Sequence, residues 1–154
     1  MTRIALNGLG RIGKLVLRDL IDTGCGGEIV LLNDPVGTAE QHALLMEFDS
    51  VHGRWRTPVS YGDGALVLNG QTIRLTHEKT IEALPLAELG VDLVIEAATE
   101  NLDLKLRLLQ QAAAQVSSEC VIASNTSSLS ITQLAASVSH PERFIGLHFF
   151  NPVP

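Results

Sequence analysis

Short apolar runs alternate with stretches of helical periodicity along most of the chain. Helical spacing of apolar residues extends from Arg11 to Thr23, and helix-forming stretches follow from Leu102 to Val116 and from Ser130 to Val138. Strands that alternate with helices are typical of a parallel sheet whose strands are linked by crossover helices. The apolar runs predict six such strands, near residues 2–7, 28–33, 71–76, 91–96, 119–124 and 143–148.

The segment from Asp49 to Thr76 interrupts this alternation. It contains turn signals at Gly62-Asp63-Gly64 and at Asn69-Gly70. Asn-Gly between two alternating apolar runs is a strong signal for a hairpin. We therefore predict a small antiparallel excursion attached to an otherwise parallel sheet.

Composition narrows the class of protein. A chain of 154 residues, 45% of them apolar, is expected to form one domain over residues 1–154. Its net charge of −6 is opposite in sign to a nucleic-acid-binding surface, and no apolar run is long enough to span a membrane. The first residues do not resemble a secretory signal, and two distant cysteines, Cys25 and Cys120, suggest reduced thiols. We expect a cytoplasmic protein that binds neither nucleic acid nor membranes.

A glycine-rich loop directly follows the first predicted strand. The sequence NGLGRIG places Gly8, Gly10 and Gly13 in a G-x-G-x-x-G pattern between that strand and a helix. In this context the first glycine permits a tight turn, the second lets backbone approach a pyrophosphate, and the third allows close packing of helix on strand. The helix start adds free amides and the positive end of a dipole. The loop predicts a dinucleotide-binding site.

An acidic residue lies where such a site needs one. Asp34 ends the second predicted strand, about 20 residues after Gly13, at the position of the acid that binds the adenosine ribose. Its charge would repel a 2′-phosphate, which favours NAD over NADP. The loop and the acid together predict an α/β fold, a doubly wound, mainly parallel Rossmann sheet of strand order 3-2-1-4-5-6, with NAD as its cofactor.

Residues 1–94 resemble the NAD-binding half of glyceraldehyde-3-phosphate dehydrogenases. The resemblance rests on the blocks NGLGRIGKLVLR, LLNDP, EFDSVHGRW and LVLNGQTIRL, in the order of that family. After VDLVIEA the family's Ser-Thr-Gly is replaced by Ala-Thr-Glu, and its nucleophile motif Ser-Cys-Thr-Thr-Asn is absent. The resemblance implies additional cofactor contacts from Arg11 and Ile12 in the loop, and from Asn33, Asp34 and Pro35 around the adenosine.

Residues from about 94 to 154 instead resemble the second half of the Rossmann domain of 3-hydroxyacyl-CoA dehydrogenases. The blocks are VIEAATENLDLK, ASNTSSLSI and GLHFFNPVP. Carried over position by position, the resemblance implies cofactor contacts from Ala97, Glu100, Lys105 and Asn151, a place near substrate and nicotinamide for Ser127, and a catalytic base at His148. The glutamate that pairs with this histidine in the family would lie beyond Pro154, so we expect His148 to be inactive.

The change of resemblance falls at the fourth predicted strand. We interpret it as an engineered recombination of two Rossmann halves; a natural gene fusion and a misassembled reading frame are the alternatives. The combination keeps both sides of a dinucleotide site and discards the substrate domains of both families. We therefore predict an NAD(H)-binding module without efficient catalysis. The alternatives are a truncated, NAD-dependent 3-hydroxyacyl-CoA dehydrogenase with residual activity, and a recombined fold whose cofactor cleft is imperfect.

Two further expectations concern metals and self-association. The histidines show no metal-ligand spacing such as H-E-x-x-H, so we predict no metal site. Phe149, Phe150 and Val153 would form an apolar rim at the end of the chain. We expect this rim to promote self-association.

Overall fold

The computed structural model describes residues 1–24 and 28–149. The strands are β1 (Arg3–Asn7), β2 (Glu28–Asn33), β3 (Phe48–Asp49), β4 (Gly53–Arg54), β5 (Val59–Gly62), β6 (Ala65–Leu68), β7 (Gln71–Thr76), β8 (Leu93–Glu96), β9 (Val121–Ser124) and β10 (Phe144–Gly146). The helices are α1 (Arg11–Thr23), α2 (Ala39–Glu47), α3 (Leu102–Gln115) and α4 (Ile131–Ala135), with single 3-10 turns at Ile81–Ala83 and Pro141–Arg143.

The strands form one eight-stranded sheet and a separate two-stranded ribbon. The large sheet has the order β10-β9-β8-β1-β2-β7-β6-β5, and its strands from β10 to β7 are parallel. These parallel strands correspond to the six predicted from the apolar runs, and their order is 3-2-1-4-5-6 as predicted. The fold class is therefore confirmed as a doubly wound, mainly parallel α/β sheet.

The predicted antiparallel excursion extends one edge of this sheet. Strands β6 and β5 are added to β7 as an antiparallel meander. The turn between β6 and β7 has Asn69 and Gly70 at φ values of 51° and 79°, which match the type I′ turn that Asn-Gly favours. Asp63 and Gly64 make a similar turn between β5 and β6, with φ values of 48° and 71°. The short ribbon of β3 and β4 lies outside the large sheet.

Helices cover both faces of the sheet because its central strand is apolar on both sides. Ile4 and Leu6 of β1 belong to a core on the α1 face, whereas Ala5 belongs to a second core on the α3 face. This continuous apolar run is the pattern expected of a parallel strand that is buried on both faces. The carboxyl ends of the parallel strands are left as the edge where loops can form a site.

Helix α2 was not predicted from the sequence. Its apolar residues do not define one face, since Leu44 and Leu45 are 58% and 55% exposed while Met46 is fully buried. A start signal was nevertheless present in Thr38 and Gln41, which form a capping box: Thr38 accepts from the Gln41 amide and Gln41 accepts from the Thr38 amide. This cap, rather than periodicity, marks the helix.

Two sequence expectations fall partly outside the described residues. Phe149 is half-buried and packs against the core on the α1 face, whereas Phe150, Val153 and Cys25 lie outside the described residues. Self-association through this rim therefore stays a prediction. Cys120 is buried, and burial raises the pKa of its thiol to about 11. Within residues 1–24 and 28–149, no helix is long and apolar enough to cross a membrane, and no three metal-ligating side chains are grouped.

Candidate functional site

A crevice lies at the carboxyl ends of β1 and β8, where the strand order reverses direction. It consists of two adjoining cavities, one of about 250 Å³ and one of about 620 Å³. The smaller one, named the Asp34 cavity after its acidic residue, and the larger one, named the Ser127 cavity, share Gly10 and residues 97–99 in their walls. In open α/β sheets, this switch point is where ligands bind.

The three loop glycines have two different roles. Gly8 has a φ of 106°, and a Cβ there would lie 2.6 Å from both the carbonyl carbon and the carbonyl oxygen of Ala97. A Cβ at Gly13 would overlap the carbonyl oxygen of Gly8. Gly10 has a negative φ, and a Cβ there would have no neighbouring protein atom within 4 Å. Gly8 and Gly13 thus allow the loop to pack, whereas Gly10 leaves the wall shared by the two cavities without a side chain at this position.

The loop continues into α1 without a side-chain cap. Gly10 is the N-cap residue, and Gly10, Arg11 and Ile12 all line the Ser127 cavity. The amides of a helix's first turn lack partners within the helix and lie at the positive end of its dipole. These backbone groups suit the pyrophosphate of a dinucleotide, for which Gly10 leaves room.

Asp34 is tied to the glycine loop by its own carboxylate. Its Oδ2 accepts from the Leu9 amide at 2.7 Å, and its Oδ1 accepts from the Val36 amide at 2.9 Å. Lys14 is buried behind the loop and donates to the Leu9 carbonyl oxygen. Burial lowers the pKa of Lys14, and the charge of Asp34 opposes that change. The acid therefore orders the loop and also lines the Asp34 cavity.

Asn33 joins three segments beneath the Asp34 cavity. Its Nδ2 donates to Asn7 Oδ1 at 2.7 Å and to the Glu78 carbonyl oxygen at 3.0 Å, while its Oδ1 accepts from the Glu78 amide and from Thr76 Oγ1. Asn33 and Pro35 line the cavity, as the predicted adenosine contacts require. The Asn33 amide is already bonded to protein, so its contribution to a ligand is mainly one of shape.

One wall of the Asp34 cavity was not predicted from the sequence. Residues 78–81, which follow β7, line this cavity together with Leu104 and Leu108 of α3. The signal was available in the topology: the loop after the third parallel strand emerges at the same edge of the sheet as Asp34. No local motif marks these residues.

The Ser127 cavity is bordered by a carboxylate that joins two loops. Glu100 accepts from Thr126 Oγ1 at 2.8 Å and from both the amide and the hydroxyl of Ser127. Burial opposes ionisation of Glu100, but these hydrogen bonds outweigh it and lower the pKa of the carboxyl. His148 lines the same cavity. The predicted Glu100, Ser127 and His148 are thus brought together around one space.

Arg11 lies at the rim, paired with an acid from the β3 ribbon. Its guanidinium donates to Asp49 at 2.9 and 3.2 Å. The bonds from Arg11, followed by those from His52, hold the pKa of Asp49 far below its usual range. Asp49 lies in the block EFDSVHGRW, but spacing along the chain does not indicate that it pairs with Arg11.

Lys105 lies behind the crevice and lines neither cavity as described. Its side chain is fully buried, with Nζ 2.8 Å from Glu96 Oε1 and 2.9 Å from Oε2. Glu96 was not singled out from the sequence, although it is the acid that ends the run VDLVIEA. Asn151, the remaining predicted contact, lies outside the described residues. A direct contact of Lys105 with cofactor therefore stays a prediction.

The fold, the glycine loop and the acid after β2 define a dinucleotide-binding Rossmann domain. The chain matches the family model described as "Glyceraldehyde 3-phosphate dehydrogenase, NAD binding domain" over residues 2–103. It also matches the model "3-hydroxyacyl-CoA dehydrogenase, NAD binding domain" over residues 65–154. The chain belongs to both of these families of NAD-binding domains. Both matches confirm NAD as the cofactor and the predicted two-part resemblance.

Individual relatives come from both families. The chain is 44% identical over 97 residues to glyceraldehyde-3-phosphate dehydrogenase of Kitasatospora aureofaciens, covering 63% of this chain and 29% of the relative. It is 39% identical over 129 residues to 3-hydroxyadipyl-CoA dehydrogenase of Escherichia coli, covering 83% of this chain and 26% of the relative. The second match extends well into the first half, so the two resemblances overlap. The chain spans less than a third of the length of these relatives.

Proposed function

We propose that the chain binds NAD(H) across the whole crevice. The Asp34 cavity would hold the adenosine, the start of α1 the pyrophosphate, and the Ser127 cavity the nicotinamide. The observation that carries this proposal concerns Gly10. This residue lines both cavities, and no protein atom lies within 4 Å of a Cβ at its position, so the wall that the cavities share is open there. A dinucleotide is the class of ligand that needs two cavities joined over a helix start.

The acid in the Asp34 cavity favours NAD over NADP. The carboxylate of Asp34 can accept hydrogen bonds from the ribose hydroxyls, and it stands at the end of β2 as this role requires. A 2′-phosphate would bring a second negative charge to the same place. Lys79 also lines this cavity, but it is one of two neighbours of opposite charge, since Glu78 lines it as well.

The proposal treats residues 1–154 as one domain made of two parts. Strand β1 pairs with β2 on one side and with β8 on the other, so the sheet is continuous across the change of resemblance. The site needs both parts, because residues 97–99 complete the walls of both cavities. The proposal is the same whether the combination was engineered or arose by a natural gene fusion.

A second candidate function is hydride transfer from a 3-hydroxyacyl-CoA to NAD⁺, or in reverse from NADH to a 3-ketoacyl-CoA. It is favoured by one observation, which is that His148 and Ser127 line the cavity assigned to nicotinamide. Bound NAD would supply the hydride acceptor. The imidazole of His148 would take the proton of a substrate hydroxyl, and Ser127 would orient that hydroxyl.

The test is calorimetric titration of the chain with NAD and with NADP. We expect NAD to bind and NADP to bind more weakly. In Gly10→Val, a side chain would enter the shared wall, so we expect binding to be lost while the circular dichroism stays native. Gly62→Val is the matched control, because Gly62 also has open space around a Cβ position but lies in β5, away from the crevice.

Each result has a defined meaning. Equal affinities for NAD and NADP would contradict the role of Asp34, and unchanged binding in Gly10→Val would contradict the crevice as the site. The second function is tested with acetoacetyl-CoA and NADH by following the absorbance of the reduced nicotinamide. A rate that disappears in His148→Ala would establish a dehydrogenase.

A further inference from the structure

Two charged side chains are buried directly behind the crevice. Glu96 ends β8 and Lys105 lies in the first turns of α3, and both residues are 0% exposed. The ammonium lies within 2.9 Å of both carboxylate oxygens. A buried ion pair is weak evidence for stability, because the desolvation of both charges offsets their attraction. Its presence here therefore calls for another explanation.

The pair binds both polar backbone groups of Ala98. Glu96 Oε1 accepts from the Ala98 amide at 2.7 Å, and Lys105 Nζ donates to the Ala98 carbonyl oxygen at 3.2 Å. The pair also contacts the end of β9 and the residue that follows it. Glu96 Oε2 accepts from Ser124 Oγ at 2.6 Å, and Lys105 Nζ lies 3.5 Å from the Asn125 carbonyl oxygen. The ion pair thus fixes the loop after β8 and connects it to the loop after β9.

The backbone held in this way, residues 97–98, forms part of the wall that the two cavities share, and we call it the waist of the crevice. Ala98 lines both the Asp34 cavity and the Ser127 cavity, and Asn125 lines the latter. On the opposite side the segment contacts the glycine loop, since a Cβ on Gly8 would lie 2.6 Å from the Ala97 carbonyl group and 2.9 Å from the Ala98 amide nitrogen. Residues 97 and 98 therefore lie between the glycine loop and the buried pair.

We infer that Glu96 and Lys105 are positioning residues for NAD binding, which act through the backbone of Ala98. This inference rests on the proposed function. This role is separate from the predicted contact of Lys105 with cofactor, because within residues 1–24 and 28–149 the ammonium donates to Glu96 and to the carbonyl oxygens of Ala98 and Asn125. The pair fixes the position of the backbone at the waist, across which the dinucleotide must extend from one cavity to the other.

Two double variants separate holding of the loop from burial of charge. Glu96→Leu with Lys105→Met replaces both charges by apolar groups and leaves the Ala98 amide without its acceptor. Glu96→Gln with Lys105→Met is equally neutral but keeps an oxygen that accepts from that amide. Single variants are avoided, because each would leave one buried charge unpaired. Glu119→Gln with Arg143→Met, which removes an exposed ion pair elsewhere, is the control.

The first measurement is hydrogen exchange of the Ala98 amide in the free protein, which requires no ligand. We expect protection in the wild type and in the glutamine variant, and its loss in the leucine variant. The second is calorimetric titration with NAD and with AMP. In the leucine variant we expect NAD affinity to fall about tenfold and AMP affinity to change by less than about threefold, because AMP occupies one cavity only.

The criterion is that NAD affinity follows protection of the Ala98 amide across the variants. Affinity lost with protection retained, or retained with protection lost, overturns the inference. Equal losses for NAD and AMP indicate general loosening and also overturn it. If the leucine variant does not fold, the comparison of wild type with the glutamine variant is judged by the same criterion. Failure of the wild type to bind NAD would reject the proposed function, while the exchange data would still decide whether the pair holds the loop.

Discussion

The two halves of the crevice are built by different means. On the first half, short-range backbone contacts dominate: Gly8 and Gly13 let three segments touch, and a single carboxylate, that of Asp34, ties the loop. On the second half, charged side chains hold the loops, with Glu96 and Lys105 behind the wall and Glu100 at the rim. The first half depends on glycines that leave room for close backbone contacts, supported by the side chains of Asn33 and Asp34, whereas the second half depends mainly on charged side chains.

This difference shows how the two halves of the crevice meet. The contact between them is backbone on backbone, Gly8 against the Ala97 carbonyl group. Such a contact needs no matched pair of side chains, only a glycine on one side and a well-positioned loop on the other. Each half can therefore retain its own supporting residues and still meet the other at close range.

The largest expected effect is a loss of stability from a substitution in the first half, at Gly13. In Gly13→Ala the new methyl group would overlap the Gly8 carbonyl oxygen, and the overlapping atom belongs to backbone that is itself packed against Ala97. We expect the free energy of unfolding to fall by about 3 kcal/mol. Gly10→Ala is the matched control, because no atom opposes its methyl group, and we expect a loss of less than about 1 kcal/mol. Denaturant unfolding measures both; equal losses would contradict the different roles assigned to these glycines.

The sequence predicted the first half better than the second for a physical reason. Gly8, Gly10, Gly13 and Asp34 belong to a motif whose spacing reflects backbone geometry, so position along the chain suffices to find them. Glu96 and Lys105 form a pair only because β8 and α3 are packed against each other. The residue types do not indicate a buried pair, because a lysine in a helix is more often exposed.

The parallel strands were predicted because a strand buried on both faces is apolar throughout, and the antiparallel meander because Asn69-Gly70 has a specific turn chemistry. Helix α2 was missed because Leu44 and Leu45 stay exposed and break the helical period. Residues 78–81 were missed because a cavity wall of this kind is defined by strand order and not by sequence. Periodicity and turns are local properties, whereas walls of a site are not.

The next largest effect concerns ligand binding at Asp34. A hydrogen bond to a charged group contributes about 1.5–3 kcal/mol, so we expect Asp34→Ala to weaken NAD binding about tenfold or more. The difference between NAD and NADP affinity should shrink in this variant, because the repelling charge is gone. Asp19→Ala, on the exposed face of α1, is the control. A dissociation constant unchanged from that of the wild type would remove Asp34 from the site and leave the second half as the main source of affinity.

The smallest expected effect is a pH dependence that belongs to the first half. His42 of α2 is 4% exposed, and its Nε2 lies 3.0 Å from the Val36 carbonyl oxygen, to which it must donate. Burial, and then the charge of Lys14, lower the pKa of His42, while Asp34 opposes the change; the ring also stacks near His77, with centroids 6.4 Å apart. The neutral ring is therefore the form that the folded state favours.

The sign of the effect follows from this lowered pKa. In the unfolded chain His42 takes up a proton near its ordinary pKa of about 6.5, whereas in the folded state it resists protonation until a lower pH. Its contribution to stability is complete above the unfolded pKa of about 6.5 and is lost as the pH falls from there towards the lowered pKa of the folded state, by at most about 1.4 kcal/mol per pH unit. We expect denaturant unfolding at pH 7.5 and 5.5 to show a smaller decrease in His42→Gln, which keeps a donor for Val36, than in the wild type. His140→Gln, at an exposed site beside Glu142, should retain the wild-type decrease; the same decrease in all three proteins would show that the buried ring near Asp34 does not set the pH response.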